Sequence, residues 1–273
     1  MLLYVRWKRK VLNHFGDPKL ISTLTKTFSR RKTKIKNTMA IFILVFIIIG
    51  LSNPQFGKKF EEVKREGVDL IVAVDLSSSM IAEDITGNRL DGAKRAINKL
   101  IENLEGDRIG IVIFAGEAFV QLPITTDYSV ARLFVNMLST DLMTTQGTEI
   151  SEAINLSVES FDMDNNHEKA IIIFSDGENH DQQAIESAKD ANDKGVLIHT
   201  VGLGSKKGAS IPTKDGDKRD NNGNKIISKL NEKNLIEIAT SGEGSYIHID
   251  KKTSSNEAIT LLLNEINEME KKR

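Results

Sequence analysis

Asp75-Leu76-Ser77-Ser78-Ser79 closes the apolar run Val68-Asp69-Leu70-Ile71-Val72-Ala73-Val74 with one carboxylate and two hydroxyls at alternate positions. A buried strand that delivers these groups into a tight turn makes a hard, all-oxygen cup. Such a cup suits Mg²⁺ or Mn²⁺ and offers no soft ligand for zinc or copper. Alone, the D-x-S-x-S pattern is weak, because Ser-rich turns after strands commonly do no more than cap the next helix. Two further stretches strengthen it. Gly147-Thr148 opens a helical pattern carried by Ile150, Ala153, Ile154, Ser157, Val158 and Phe161. Ser175-Asp176-Gly177-Glu178 ends a second apolar run, residues 170–174. Two strands therefore each end in an aspartate, with a threonine at a helix start between them.

In an open parallel sheet the strand C-termini all point to one edge, where ligands bind at the point of strand-order reversal. Asp75, Ser77, Ser79, Thr148 and Asp176 are thus predicted to converge on one cation, Mg²⁺ or Mn²⁺. The set resembles the metal-ion-dependent adhesion site of von Willebrand factor A domains, with every position filled. That resemblance implies that Asp75, Ser77, Ser79 and Thr148 contact the cation directly or through water. It implies that Asp176 does so mostly through water, and that a partner's carboxylate completes the shell.

The elements that must position these groups follow from periodicity. Leu90, Ala93, Ala96, Ile97, Leu100, Ile101 and Leu104 recur at helical spacing over residues 89–105, and Gly106-Asp107 breaks that helix. Strands are expected over 108–114, 169–174, 196–201 and 244–249, with a short antiparallel edge strand over 118–122. Helices are expected over 128–138, after Thr148, over 182–194 and over 231–240, with a final amphipathic helix over 254–269. Alternating strands and helices predict an α/β fold, a doubly wound and mostly parallel sheet covered on both faces. About 200 residues is ample for one such core.

The N-terminal part differs. Residues 1–36 hold eleven Lys/Arg and one Asp, net +10, and the rest hold 26 Lys/Arg and 37 Asp/Glu, net −11. Between them residues 39–51 are uncharged and apolar. The run is shorter than the roughly 20 residues that span hydrocarbon, but it lengthens if Ile35, Asn37, Thr38 and Ser52 enter while Lys34 and Lys36 snorkel. The long leader and the lack of an A-x-A-like site argue against a cleaved signal, and the all-round apolar surface argues against a core helix. The expected division is a basic cytoplasmic segment at 1–36, a transmembrane helix at 37–53, a linker at 54–66, the α/β domain at 67–250 and an amphipathic helix at 251–273. The basic flank predicts a single-pass protein of the bacterial inner membrane with the α/β domain periplasmic. Nucleic acid binding is not expected, because no folded basic module or interleaved aromatics accompany the charge. Without cysteine, no disulfide or thiolate site exists.

A narrower resemblance rests on His14-Phe15-Gly16-Asp17-Pro18, Asn53-Pro54-Gln55-Phe56-Gly57 and Val63-Lys64-Arg65-Glu66-Gly67-Val68-Asp69-Leu70. It continues through Arg108-Ile109-Gly110-Ile111-Val112-Ile113-Phe114-Ala115-Gly116, Phe119-Val120-Gln121-Leu122-Pro123, Thr125-Thr126-Asp127-Tyr128 and Thr145-Gln146-Gly147-Thr148. These stretches resemble the Bat aerotolerance proteins, membrane-anchored von Willebrand factor A proteins of bacteria, most closely the BatB type. The resemblance implies a stress-related envelope complex with other Bat-type proteins and a cytoplasmic MoxR-type AAA+ ATPase. Such proteins commonly begin with a first membrane helix and end with a third. Here residues 1–7 look like only the tail of the first, and Glu270-Lys271-Lys272-Arg273 follows the last helix, so a fragment or a shortened relative is expected.

Several residues carry blander expectations. Asp215-Gly216-Asp217 and Asp220-Asn221-Asn222-Gly223 place Gly at the wrong offset for an EF-hand, and a solvated hairpin turning near Asn222-Gly223 is expected. His180 reads as a surface residue, Glu178 as part of the site's rim, and Arg89 and Asp107 as residues that serve helix ends and loop packing. The chain is not expected to be an enzyme. A Mg²⁺-dependent phosphatase needs a second carboxylate two residues after the first, where Ser77 stands. No G-x-x-x-x-G-K-[ST] loop occurs either. The alternatives to a metal-dependent protein-binding module are thus such an enzyme or a structural domain without a metal-dependent ligand.

Overall fold

Long runs of β-branched residues flanked by Asp and Gly favour buried strands, and in the computed structural model they form the centre of one sheet. The structure describes residues 29–51, 67–178, 182–213, 216–250 and 259–264, with isolated positions between 6 and 23. It divides into an N-terminal unit, Met1–Val63, and a second unit, Lys64–Arg273.

In the first unit, helix α1 covers Arg30–Leu51. Its side chains from Met39 to Leu51 are exposed and apolar. Among the described residues it is the one helix long and apolar enough to cross a membrane. At about 1.5 Å per residue its 22 residues reach roughly 33 Å, enough for the hydrocarbon core. The helix starts before the residue-37 boundary expected from sequence, and the expected linker at 54–66 lies outside the described residues.

In the second unit, β1 (Asp69–Asp75) pairs in parallel with β2 (Arg108–Phe114) on one side and β4 (Lys169–Ser175) on the other. Beyond β2 lies β3 (Ala118–Thr125), antiparallel and at the sheet edge, where its Pro123 costs no ladder bond. Beyond β4 lie β5 (Val196–Leu203) and β10 (Glu243–Ile249), so the order is β10-β5-β4-β1-β2-β3. The winding reverses between β1 and β4, the two strands that end in the candidate aspartates. The expected fold class is the observed one.

Alternation along β1 feeds two cores. Leu70, Val72 and Val74 pack with Ala93, Ala96, Ile97 and Leu100 of α2 (Arg89–Glu102), and with Ala131 and Val135 of α3 (Tyr128–Met137). Ile71 and Ala73 pack with Ile150, Ala153 and Ile154 of α4 (Ile150–Glu159) and Ala184 and Ala188 of α5 (Gln182–Asp193). Leu235 and Ile238 of α6 (Glu232–Ser241) complete that face. Each buried Val, Leu or Ile among them contributes about 1.5–3 kcal/mol by leaving water. Residues 259–264 are helical and bury Ile259 and Leu262 in the first core; the rest of the expected C-terminal helix lies outside the described residues.

Between β5 and α6 the described residues of an insert form four two-residue strands. β6 (Ala209–Ser210) pairs with β9 (Ile227–Ser228), and β7 (Pro212–Thr213) with β8 (Gly216–Asp217). The Gly223 amide donates to Asp220 O at 3.0 Å, with Gly223 at φ +84°, so the turn forms where the sequence places it. The insert is not wholly solvated, however. Ile211 and Leu230 are buried and Lys218 is half-buried, because one side of the insert lies over the C-terminal edge of the sheet.

Candidate metal centre

Register puts Asp75 beside Ser175, since Val74 pairs with Phe174 one residue earlier. The Ser175 hydroxyl donates to Asp75 Oδ2 at 2.7 Å, and the Ser77 amide donates to Asp75 Oδ1 at 2.8 Å. A 3-10 turn over Ser78–Ile81 then brings the Ser77 and Ser79 hydroxyls to 2.9 Å from each other. In an octahedral Mg²⁺ shell with bonds of about 2.1 Å, neighbouring oxygens stand about 2.9–3.0 Å apart. The hydroxyl pair already has that spacing.

Thr148 arrives from the loop before α4. That loop is held against the end of β2: Gly116 N donates to Thr145 O at 3.1 Å, and Glu149 N donates to Ala115 O at 2.7 Å. The approach needs glycines. A Cβ on Gly116 would stand 2.8 Å from Gln146 O, and one on Gly147, at φ +153°, would stand 3.0 Å from Gly116 Cα. Gln146 Oε1 in turn accepts from the Ser78 amide at 3.0 Å. Ser77, Ser78, Ser79 and Thr148 thus line one cavity of about 340 Å³, shared with Gln146, Gly147, Glu178, Ile211, Lys218 and Ile226.

Asp176 follows β4 and is fully buried, as is Asp75. Gly177 turns the chain at φ +62°, where any Cβ would strike Leu235 at 2.7 Å. Asp176 Oδ1 accepts from the Glu178 amide at 3.1 Å, and Oδ2 accepts from Arg89 at 2.6 Å. Here the expectation for Arg89 fails. It does more than end a helix: it is fully buried and makes ion pairs with Asp176 at 2.6 Å and with Asp84 at 2.8 Å. It also donates to Ser228 Oγ at 2.6 Å and Ser228 O at 3.1 Å, tying the insert to the site. The signal was present in the sequence, because Arg89 stands on the same helical stripe as Ala93, Ala96 and Leu100. Asp107 behaves as expected, accepting from the Val68 amide at 2.8 Å in a loop contact.

The electrostatics follow from these contacts. Asp84 and Asp176 share the buried Arg89 guanidinium, whereas the fully buried Asp75, beside Asp176, makes no ion pair among the described residues. Burial, and then the nearby Asp176 carboxylate, push Asp75 up to about 7 against the hydrogen bonds from Ser175 and Ser77. Burial alone would raise Asp84, but hydrogen bonds from Arg89 and Ser205 outweigh it and hold Asp84 below the usual carboxylate range. A cation would relieve the repulsion between Asp75 and Asp176, and the donor set is all oxygen, so the residues fit Mg²⁺ or Mn²⁺. Among the described residues no group of three His, Cys, Asp or Glu side chains could hold a metal, so any ion here leans on hydroxyls.

Two flanking groups complete the site. Lys218 Nζ donates to Ser78 Oγ at 2.7 Å. Glu178 lies on the rim as expected, its carboxyl raised by burial and by Asp176, and eased by Ser228, Arg89 and Lys218. Sequence reasoning assigned no role to Ser175, Gln146, Lys218 or Ser228, since their roles depend on contacts far along the chain. His180 lies outside the described residues.

Comparison with known proteins bears on the fold and the family. The von Willebrand factor type A domain family matches residues 70–178. BatB of Bacteroides thetaiotaomicron, a crystal structure, is 43% identical with a TM-score of 0.72, covering 75% of this chain and 100% of that one. An aerotolerance-related membrane protein of Bacteroides fragilis is 42% identical with a TM-score of 0.70, covering 74% and 100%. An uncharacterized protein of Borreliella burgdorferi is 30% identical over 185 residues, 64% of this chain and 51% of its own length. The chain thus spans about half the length of the first of its curated relatives.

Proposed function

This chain belongs to the BatB-like, aerotolerance-related family of membrane proteins that carry a von Willebrand factor A domain, and from that premise we propose that its α/β domain is a metal-dependent protein-binding module anchored to a bacterial membrane by α1. The observation that carries the reading is the Ser77–Ser79 hydroxyl pair at 2.9 Å, in a cavity that Thr148 also lines, with the buried Asp75 and Asp176 carboxylates behind it. Asp75, Ser77, Ser79, Thr148 and Asp176 would hold one Mg²⁺ or Mn²⁺. The ion would supply an electrophilic site for a partner's Asp or Glu carboxylate.

The chain's own residues keep that arrangement in place. Ser175 and the Ser77 amide fix both Asp75 oxygens, Arg89 fixes Asp176, and Gln146 ties the Thr148 loop to Ser78. The reading assigns no catalytic residue, because Ser77 stands where a phosphatase would need its acid and base. Residues 67–250 would form the binding domain, and α1 would anchor it to the membrane. Calorimetry on the full chain in detergent tests the site. Wild type is expected to bind one Mg²⁺ and Asp75→Ala none, with circular dichroism unchanged; equal affinity in the two overturns the assignment.

The basic 1–36 segment resists export, so we place it in the cytoplasm, where a MoxR-type AAA+ ATPase of the envelope complex would act, and the binding domain in the periplasm. Protease added to spheroplasts is expected to digest the domain, and digestion only after lysis reverses the orientation. The stress role of the complex with other Bat-type proteins rests on the family resemblance.

A further inference from the structure

The cavity above the hydroxyl pair is not symmetrical in charge. On one wall the insert presents Lys218, half-buried, with Nζ 2.7 Å from Ser78 Oγ. Ser78 lies between Ser77 and Ser79, so the ammonium stands beside the proposed metal ligands. On another part of the lining stands Glu178. Among the described residues no carboxylate forms an ion pair with Lys218 within 4.0 Å. One hydrogen bond to Ser78 uses one of the three ammonium donors.

The position of Lys218 is fixed from two directions. Its backbone N donates to Ile211 O at 2.8 Å, and its carbonyl accepts from Ile226 N at 2.9 Å. The insert that carries it is held at Ser228 by the buried Arg89, which also grips Asp176. The ammonium is therefore set on a wall rather than swinging on a free loop. Ile211 and Ile226 give the same wall an apolar lining that lowers the local dielectric and strengthens any charge contact made there.

We propose that Lys218 is a specificity-determining residue, which makes this site select partner segments carrying a second carboxylate next to the one that meets the metal. This inference rests on the metal-dependent reading for the first carboxylate. Lys218 takes the second, and Glu178 repels an acid placed on its side, so the acidic neighbour has one favoured orientation. A partner residue flanked by a lysine meets the reverse pattern and is disfavoured. A cavity of about 340 Å³ accommodates a few side chains, which matches a short acidic stretch rather than a folded surface.

The test uses the full chain in detergent at saturating Mn²⁺ and three synthetic hexapeptides that share one central Asp. That Asp is followed by Asp, Gly or Lys. Fluorescence anisotropy is expected to rank them Asp, Gly, Lys, with the doubly acidic peptide about five- to tenfold tighter than the Gly peptide. Lys218→Met is expected to reduce that ratio to within twofold, and Lys218→Glu to move the Lys peptide to first place. If the peptides bind in a metal-dependent way but keep their order in both variants, the role of Lys218 is overturned while the metal site stands. If binding is the same in EDTA, or absent from wild type, the metal-dependent reading fails and takes this inference with it.

Discussion

Strand β1 begins and ends with an aspartate, and both are fully buried, yet their surroundings are opposite. At the start, Asp69 accepts from Arg108 Nε at 2.7 Å and from its terminal nitrogen at 2.6 Å. Asn165 adds a bond at 3.2 Å and His167 Nδ1 a contact at 3.0 Å. Lys169 braces that loop through Asn165 Oδ1 at 3.0 Å and His167 O at 2.9 Å. At the other end, Asp75 meets the Ser175 and Ser77 side chains and the Ser77 amide, all neutral, with a second carboxylate nearby. Burial would raise Asp69, but the hydrogen bonds from Arg108 and Asn165 outweigh it and hold the carboxyl below its ordinary range. At Asp75 the opposing hydrogen bonds come only from the neutral Ser175 and Ser77, and they do not overcome burial and Asp176. Equal burial therefore says little about a carboxylate's role, and the nearest cation decides it. One end of the strand is a closed structural network, and the other is arranged to receive charge.

The harshest way to break this contrast is to remove the guanidinium that pairs with Asp84 and Asp176 at the upper edge. Arg89→Met leaves Asp84 and Asp176 buried without their guanidinium, and is expected to cost about 3–5 kcal/mol in urea unfolding at pH 7 in EDTA. A loss below about 1 kcal/mol would mean that the upper carboxylates are balanced elsewhere. At the lower edge, Asp69→Asn strands Arg108, which is partly exposed and can rehydrate, so a smaller loss of about 2–3 kcal/mol is expected. Because Asp69 is depressed when folded, its stabilisation is present above the unfolded pKa of about 4 and fades as pH falls through the folded value. The difference between wild type and Asp69→Asn should therefore shrink in acid.

The finest discrimination comes from Asp75→Asn, for which the sign reverses. A carboxyl raised to about 7 stabilises the fold below its unfolded pKa and loses that contribution as pH rises through the folded value. In EDTA the Asn variant is expected to match wild type near pH 4 and to be the more stable of the two at pH 8. Added Mg²⁺ should stabilise wild type and leave the variant unmoved, since only a state that binds gains from the ligand. If Asp75→Asn instead destabilises as Asp69→Asn does, at every pH, the two ends of β1 are alike and the upper one is structural.

Sequence alone determined the strands, the helices and the edge that gathers the polar groups. Apolar runs ended by aspartate at 75 and 176 had to be buried strands, and helical spacing from Leu90 to Leu104 had to face them, because periodicity reports which side leaves water. The turn at Asn222-Gly223 and the apolar length of α1 were legible for equally local reasons. The limits of elements were less so: β3 runs to Thr125 and β5 to Leu203, past the expected ends, because pairing with a neighbour extends a strand beyond its own pattern. Only the tertiary structure decided which charges meet. Arg89 finds Asp176 across 87 residues and Ser228 across 139, and Lys218 finds Ser78 across 140. A residue's type states that it carries charge, but the energy of that charge depends on what stands within a few ångströms. Over such separations that is fixed by packing, which no local pattern encodes.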